Sequence, residues 1–277
     1  MTELTSNDVP RVDGMPQFGL GTWKNEDPDA CANAVATALE MGYRHIDTAQ
    51  AYENEEHVGR GIAEADVERD DVFLATKVFI DSLTHDDVIA STEESLEKLG
   101  VDYVDLLYVH WPARTYDPVE TLPAFEELKD DGKIERIGVS NFQRRHLERA
   151  REVLDEPIFA NQVEMHPFLQ QRELRAVADE MDVELVAYSP LARGAVFDDP
   201  VLSDIAEKHD VSEAQVSLAW LREKGVTAIP KATSESHIRD NWESLTLGLD
   251  AEDVRRIDAI ERVDRRVDTD FAPWNAR

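Results

Sequence analysis

The sequence predicts an α/β chain folded as a single (β/α)8 TIM barrel over residues 1–277, and three observations lead there. Short apolar and β-branched runs alternate with amphipathic segments about eight times, at spacings of roughly 20–40 residues and with no linker between them. The 277 residues suit one barrel, an architecture that commonly reaches about 250 residues as one domain. The rival architecture, a doubly wound sheet, normally carries a Gly-rich turn after its first strand. Here Gly19-Leu-Gly21-Thr-Trp-Lys24 lacks the third glycine, and Gly59-Arg-Gly61-Ile-Ala-Glu64 fails at the same place inside a helical pattern.

Taken in order, strands are expected over 18–23, 44–47, 72–78, 104–110, 134–139, 159–164, 184–188 and 227–231. Helical patterns follow each one, over 29–41, 55–64, 86–99, 118–130, 144–154, 171–181, 201–208 with 213–223, and 235–245. Gly42, Gly100, Gly132 and Gly225 each stand just past a helical pattern, where a left-handed residue closes the last turn. A further helix over 251–262 and a tail to residue 277 fall outside the repeat.

Composition narrows the function. Hydrophobic residues make up 42%, enough for a core, while 59 acidic residues against 29 Lys and Arg give a net charge of −30. That balance argues against nucleic-acid binding, whose affinity rests on cations displacing counterions, and against anionic membranes. Only eight of the 29 cations are Lys, and the acids run along the whole chain, the pattern expected of a halophilic protein kept soluble where salt screens self-repulsion. Cys31 stands alone, so no intramolecular disulfide forms. Residues 1–13 lack a positive region followed by an apolar stretch, and no apolar run reaches about 18 residues, which together imply a cytoplasmic protein. Walker A, CxxC, HExxH and GxSxG motifs are all missing from the sequence.

In a (β/α)8 barrel the chemistry sits at the carboxyl ends of the strands. Those ends deliver Asp47 with Tyr52 behind it, Lys77, His110-Trp111, Ser140-Asn141, Gln162, Glu164 and His166, Tyr188-Ser189, and Lys231. Buried charges are costly unless paired, so Asp47 and Lys77 on neighbouring strands are expected to form an ion pair. A cation beside Tyr52 is expected to lower the phenol pKa, Asp47 to keep Lys77 ionised, and His110 to orient the same substrate oxygen. Such a group is a proton relay for a carbonyl becoming an alcohol. Three alternatives stand beside it. Each residue alone also fits simple rim packing; Lys77 could form a Schiff base if desolvated, although an Asp partner keeps it protonated; and His45, Asp47, His110 and His166 suggest a metal. The metal reading lacks a tight ligand pair, so no metal is expected.

Nine segments, in order within a match that runs from about Met15 to Asn241, resemble those of the aldo-keto reductases, nearest the prokaryotic branch that includes 2,5-diketo-gluconate reductases. They are Gly19-Leu-Gly-Thr-Trp23, Gly42-Tyr-Arg-His-Ile-Asp-Thr-Ala49, Tyr52-x-Asn-Glu55, Leu74-Ala-Thr-Lys77, Asp105-Leu-Leu-Tyr-Val-His-Trp-Pro112, Gly138-Val-Ser-Asn-Phe142, Asn161-Gln-Val-Glu-x-His-Pro167, Tyr188-Ser-Pro-Leu191 and Ile229-Pro-Lys231. The resemblance implies a nicotinamide cofactor bound without a Rossmann fold, and a catalytic tetrad of Asp47, Tyr52, Lys77 and His110 with Tyr52 as general acid. It places Ser140, Asn141 and Gln162 on the carboxamide and Tyr188 against the nicotinamide ring. Thr22, Trp23, Asp47, Ser189 and Leu191 fall in the same groove, and Lys231, Thr233, His237 and Asn241 at the far end of the cofactor. At strand eight the chain reads Pro230-Lys231-Ala232-Thr233-Ser234, with His237 where members that prefer NADP carry an Arg for the 2′-phosphate. Thr233, Ser234 and Arg239 are placed to compensate, so the resemblance implies NADPH preferred with NADH usable.

The substrate pocket is expected to be walled by Trp23, Phe79 and Trp111 with Tyr52 and His110, and the tail around residues 271–274 to close one side. The expected partner is a small-molecule carbonyl compound, with a monomer implied by resemblance. A cofactor-holding redox-sensor module remains the alternative from another functional class.

Overall fold

The computed structural model describes residues 4–275. Eight parallel strands form one sheet in sequential order: β1 (Leu20–Gly21), β2 (His45–Asp47), β3 (Phe73–Val78), β4 (Leu106–Val109), β5 (Ile137–Ser140), β6 (Ile158–Glu164), β7 (Glu184–Tyr188) and β8 (Thr227–Ala228). The sheet closes on itself through parallel bridges of Phe18 with Ala228 and Gly21 with Lys231, so the fold is a (β/α)8 barrel. Closure demands a glycine: a Cβ at Gly21 would stand 2.7 Å from the Ile229 carbonyl oxygen.

Helices α1 (Pro28–Met41), α2 (Glu55–Glu64), α3 (His85–Leu99), α4 (Pro118–Asp130), α5 (Arg144–Val153) and α6 (Arg172–Met181) follow the first six strands. Two helices, α7 (Pro200–His209) and α8 (Glu213–Glu223), separate β7 from β8, and α9 (Glu235–Glu243) and α10 (Ala251–Asp258) follow β8. Three of them start on the same Asp-Pro pair. Asp27, Asp117 and Asp199 each accept a first-turn backbone N–H, and the following proline sits where no donor is required. Gly42, Gly100, Gly132 and Gly225 all have positive φ, as the helix-end pattern requires.

The two-glycine pattern in α2 turns out to be a packing device. A Cβ at Gly59 would meet the Leu99 carbonyl oxygen at 2.2 Å, and one at Gly61 the Ala32 carbonyl oxygen at 2.5 Å. The glycines therefore let α2 lie directly against α3 and α1.

Several boundaries differ from expectation, each for a local reason. Backbone pairing in β1 is shorter than 18–23 because Thr22 turns back, with both its N–H and its Oγ1 donating to the Asp47 carbonyl at 3.0 Å. The final helix stops at Asp258 rather than continuing to 262, because its last carbonyls are taken by side chains: Gln170 Nε2 donates to the Ile257 oxygen at 3.0 Å and Arg172 to the Asp258 oxygen. The helix expected over 235–245 ends at Glu243 and tightens into a 3-10 turn, Ser244–Thr246. An unforeseen hairpin, Arg11–Val12 with Met15–Pro16, turns on Asp13-Gly14 at φ 43° and 88°. It inserts Met15, fully buried, beneath the inward residues Phe73, Ala75, Leu106, Tyr108, Ala160, Val186 and Ile229 that fill the barrel.

Candidate active site

The inward layer predicts what stands above it. Side chains alternate along a strand, so the residue two places beyond a core residue faces the barrel mouth. Phe73 and Ala75 lead to Lys77, Leu106 and Tyr108 to His110, Ala160 to Gln162 and Glu164, Val186 to Tyr188, and Ile229 to Lys231. On β2 the same parity runs from His45 to Asp47. His45 Nδ1 meets the Pro16 carbonyl at 3.1 Å, which spends it beside the N-terminal hairpin, away from the mouth.

Lys77 and Asp47 are each about 1% exposed, and Lys77 Nζ donates to Asp47 Oδ1 at 2.5 Å, to the Thr48 carbonyl at 2.7 Å and to the Tyr52 hydroxyl at 3.4 Å. The other Asp47 oxygen accepts from Gln162 Nε2 at 2.6 Å. Burial opposes the charge on Lys77, but Asp47 and Tyr52 more than offset it, and the net shift of its pKa is upward. Lys77 is thus a held cation, the opposite of what Schiff-base chemistry requires.

Tyr52 corrects an expectation. Its pKa is raised, not lowered: burial against the barrel mouth outweighs the attraction of Lys77. The phenol is kept neutral and its proton retained. His110 stands across from it, edge to face at 5.9 Å between ring centres, and burial together with the Lys77 charge pushes its pKa down to about 3. It is a neutral imidazole whose buried Nδ1 has no hydrogen-bond partner among the described residues.

A second chain of polar groups lies on the opposite side. Ser140 Oγ donates to the Gln162 carbonyl at 2.9 Å, Asn141 Nδ2 to the His110 carbonyl at 3.2 Å and to Ser140 Oγ at 3.0 Å, and Tyr188 OH to Asn141 Oδ1 at 2.9 Å. Asn141 and Ser189 hold the left-handed backbone conformation directly after β5 and β7, at φ 64° and 49°. Non-glycine residues concentrate there where a site fixes the chain.

One cavity of about 350 Å3 joins the two sets. Of the residues singled out from sequence, Thr22, Trp23, Asp47, Tyr52, Phe79, His110, Trp111, Ser140, Asn141, Gln162, Tyr188, Ser189 and Lys231 line it. Leu191, Thr233, His237 and Asn241 do not, and neither does Lys77, which reaches the cavity only through Tyr52 and Asp47. His237 is exposed in the first turn of α9, where its N–H donates to the capping Ser234 Oγ at 3.3 Å, and Asn241 is buried in the same helix. Arg239 is engaged by Glu235 at 2.8 Å in an exposed one-turn pair.

Sequence reasoning missed Arg193, Val267 and Thr269, which also line the cavity. Arg193 lies over the Trp23 ring at 4.4 Å and forms no ion pair among the described residues. It stands in the loop after β7, where barrel chemistry is expected, and that position was its available signal. The tail closes the cavity as expected through Phe271, which packs edge-on to Trp111 at 5.5 Å. Trp274 covers Trp111 from outside at 5.6 Å. His166 is spent on Glu164, its Nε2 2.9 Å from Oε1. Among the described residues no group of three or more His, Cys, Asp or Glu is arranged to hold a metal ion.

The sequence profile of the Aldo/keto reductase family matches residues 14–262. The chain belongs to that family. This aldo-keto reductase is 43% identical over 251 residues to a glyoxal reductase of Bacillus subtilis, with 91% of each chain covered. It is 42% identical over 257 residues to the methylglyoxal reductase DkgB of Escherichia coli O157:H7, covering 91% of this chain and 96% of that one. Among solved structures it is similar to a putative 2,5-diketo-D-gluconic acid reductase B at TM-score 0.90 and 35% identity, over 98% and 96% of the two chains. It is also similar to a Bombyx mori aldo-keto reductase in complex with NADP, at TM-score 0.87 and 33% identity over 92% of each. As a member of this family the protein is an NAD(P)H-dependent oxidoreductase acting on carbonyl groups. No helix among the described residues is long and apolar enough to cross a membrane.

Proposed function

We propose that the protein reduces aldehydes and ketones with NADPH, with Tyr52 as the general acid and Lys77, Asp47 and His110 as its supports. The observation that carries this reading is Lys77: a buried ammonium held by Asp47 that points its remaining donor capacity at a neutral phenol.

The cavity's residues fit a nicotinamide cofactor. Tyr188, held through its hydroxyl by Asn141, offers an aromatic face, Ser140, Asn141 and Gln162 supply polar atoms beside it, and Arg193 and Lys231 place cations on the lining for a pyrophosphate-bearing tail. When bound, the reduced nicotinamide supplies the hydride. The protein's own part is orientation and a proton. Neutral His110 is positioned to hydrogen-bond the carbonyl oxygen without charging it. As charge builds on that oxygen, Tyr52 gives up its proton, and Lys77 stabilises the phenolate left behind across the 3.4 Å contact. Asp47 keeps Lys77 in place and charged, while Gln162 satisfies the outer oxygen of Asp47. Trp23, Phe79, Trp111 and Phe271 exclude water from the reacting oxygen and favour an apolar or flat carbonyl body.

NADPH is the preferred cofactor in this reading, with NADH usable. Lys231 is exposed beside α9 and forms no ion pair among the described residues, whereas His237 offers no fixed guanidinium fork. A redox-sensor module that works by docking would present an apolar face; among the described residues the exposed large hydrophobics are Val119, Phe197 and Val263, far apart in sequence.

The test follows NADPH absorbance with glyoxal, methylglyoxal, diketo-sugars and aryl aldehydes, chosen because the similar proteins are named for the first three classes. Wild type should oxidise NADPH only when a carbonyl is present, and Tyr52→Phe should lose at least about 100-fold in kcat. Full activity in Tyr52→Phe would overturn the proton assignment; no carbonyl-dependent turnover in wild type would overturn the reductase reading.

A further inference from the structure

Glu164 ends β6 at the barrel mouth and His166 follows two residues later, yet neither lines the cavity. Both are buried, at 1% and 0% exposed, and a buried carboxylate needs a reason to stay there. Glu164 Oε1 accepts the Arg266 backbone N–H at 2.6 Å, and Oε2 accepts that of Val267 at 2.8 Å. These are contacts across about a hundred residues of sequence, from a barrel strand to the C-terminal segment. His166 orients the acceptor. Its Nδ1 accepts the Phe168 N–H at 3.3 Å, so in the neutral ring the proton is on Nε2, which donates to Glu164 Oε1 at 2.9 Å.

The segment so held is the substrate wall. Val267, Thr269 and Phe271 line the cavity, with Val267 and Phe271 packed beside Trp111. Just before the segment in the chain, a groove of about 1020 Å3 runs between Ile260–Arg265 and α6, with Glu164 itself on its lining. Packing on Ile80 and Trp111 holds the segment, Asp264 N–H to the Phe168 carbonyl at 2.9 Å and Arg145 to the Pro273 carbonyl at 3.0 Å anchor its two ends, and the two charge-assisted hydrogen bonds to Glu164 fix it between them.

We propose that Glu164, oriented by His166, is a positioning residue for substrate choice: it latches the C-terminal segment at Arg266 and Val267 and so sets how large a carbonyl body the cavity admits. The proposal rests on the reductase reading for its kinetic readout, and on the fold alone for its structural one.

Glu164→Gln places an amide N–H against a backbone N–H and removes one acceptor. The assay measures kcat and KM for glyoxal and for a bulky aryl ketone, the Kd for NADPH by protein fluorescence, and the rate of tryptic cleavage after Arg265. Arg265 is half-buried over Trp274 at 3.9 Å, so its cleavage reports release of the segment. The latch predicts cleavage about tenfold faster, a shift of about tenfold in kcat/KM for the bulky ketone, and glyoxal kcat and NADPH Kd within about twofold of wild type. Val267→Pro deletes one latch donor while leaving Glu164 and β6 unaltered and should raise the cleavage rate in the same way, which covers the case of a Glu164 variant that fails to fold. Unchanged cleavage in a folded variant, or equal losses for both substrates and NADPH together, would overturn the latch. If wild type turns over no carbonyl, the reductase reading falls while the cleavage rates still decide whether Glu164 holds the segment.

Discussion

Removing the Lys77 charge separates what the buried ion pair does for the fold from what it does for the reaction. Lys77→Met leaves Asp47 about 1% exposed with Gln162 Nε2 as its remaining side-chain donor among the described residues. Breaking a buried pair from one side costs about 3–5 kcal/mol, because the surviving charge stays desolvated. Asp47→Asn strands the ammonium instead and should cost a similar amount. The double variant leaves no uncompensated charge, and replacing both partners of such a pair is often near neutral. The two single losses would sum to about 6–10 kcal/mol, whereas the double loss should be about 0–2 kcal/mol, so the coupling is several kcal/mol. Urea unfolding of all four proteins in the same molar KCl gives the cycle, with the m-value checked for constancy. Turnover should not follow stability. The double variant folds but has no cation beside Tyr52, so its kcat should stay at least about 100-fold down. Additivity of the single losses to within about 0.5 kcal/mol would refute the coupling, and near wild-type turnover in the double variant would refute the role given to Lys77.

Further outcomes follow from other parts of the site. The folded pKa of His110, about 3, lies below its ordinary 6.5, so the folded protein resists protonation there; the contribution is complete above pH 6.5 and is lost as pH falls toward 3. His110→Gln should therefore lose less urea stability than wild type between pH 7 and pH 4.5, by about 1–3 kcal/mol after allowing for its partial exposure; identical pH slopes would contradict this. His237→Arg should raise the NADPH-over-NADH ratio of kcat/KM by about tenfold or more through NADPH alone, since it restores a bidentate donor; a gain shared equally by NADH would count against a 2′-phosphate contact. Lowering KCl should raise the KM for NADPH before far-UV circular dichroism changes, because the repulsion between a chain of net charge −30 and a polyanion is no longer screened; a KM flat across the folded range would remove that expectation.

Much of this site was legible because a barrel strand carries its own ruler. Once Phe73-x-Ala75 or Leu106-x-Tyr108 is read as inward, the next residue of the same parity must face the mouth, and it is Lys77 or His110. Spacing could not give the balance of opposing effects at one atom. Lys77 lies beside Tyr52 as expected, yet burial decides the direction of the phenol's shift, and burial depends on how loops from several strands close over it. The N-terminal hairpin had a local signal in Asp13-Gly14, but only two residues pair on each side, too few for a period-2 pattern to register. The far ends of the chain were illegible for a different reason. Glu164 reads as one more strand-end acid until residues 266 and 267 are brought to it, and no local pattern encodes that meeting.

The acidic surface and the cofactor site impose opposite demands, and the way cations are employed reconciles them. Exposed cations such as Arg144, Lys98 and Arg255 are matched by carboxylates a few ångströms away, arrangements that contribute little to stability but keep the surface field negative and evenly spread. Around the mouth the employment changes. Arg193 rests on Trp23 and Arg265 on Trp274, stacked on aromatic faces and, with exposed Lys231, outside any ion pair among the described residues. A guanidinium parked on a ring keeps its hydrogen-bond donors available, whereas one in a bidentate carboxylate pair does not. Arg239, tied to Glu235 in an exposed pair worth a few tenths of a kcal/mol, can be released at small cost. Inside, Asp47 and Lys77 cancel, so that pair presents no net charge to the incoming anion. In a chain this acidic, binding a polyanion depends less on adding cations than on leaving a few of them uncommitted at the place where they are used.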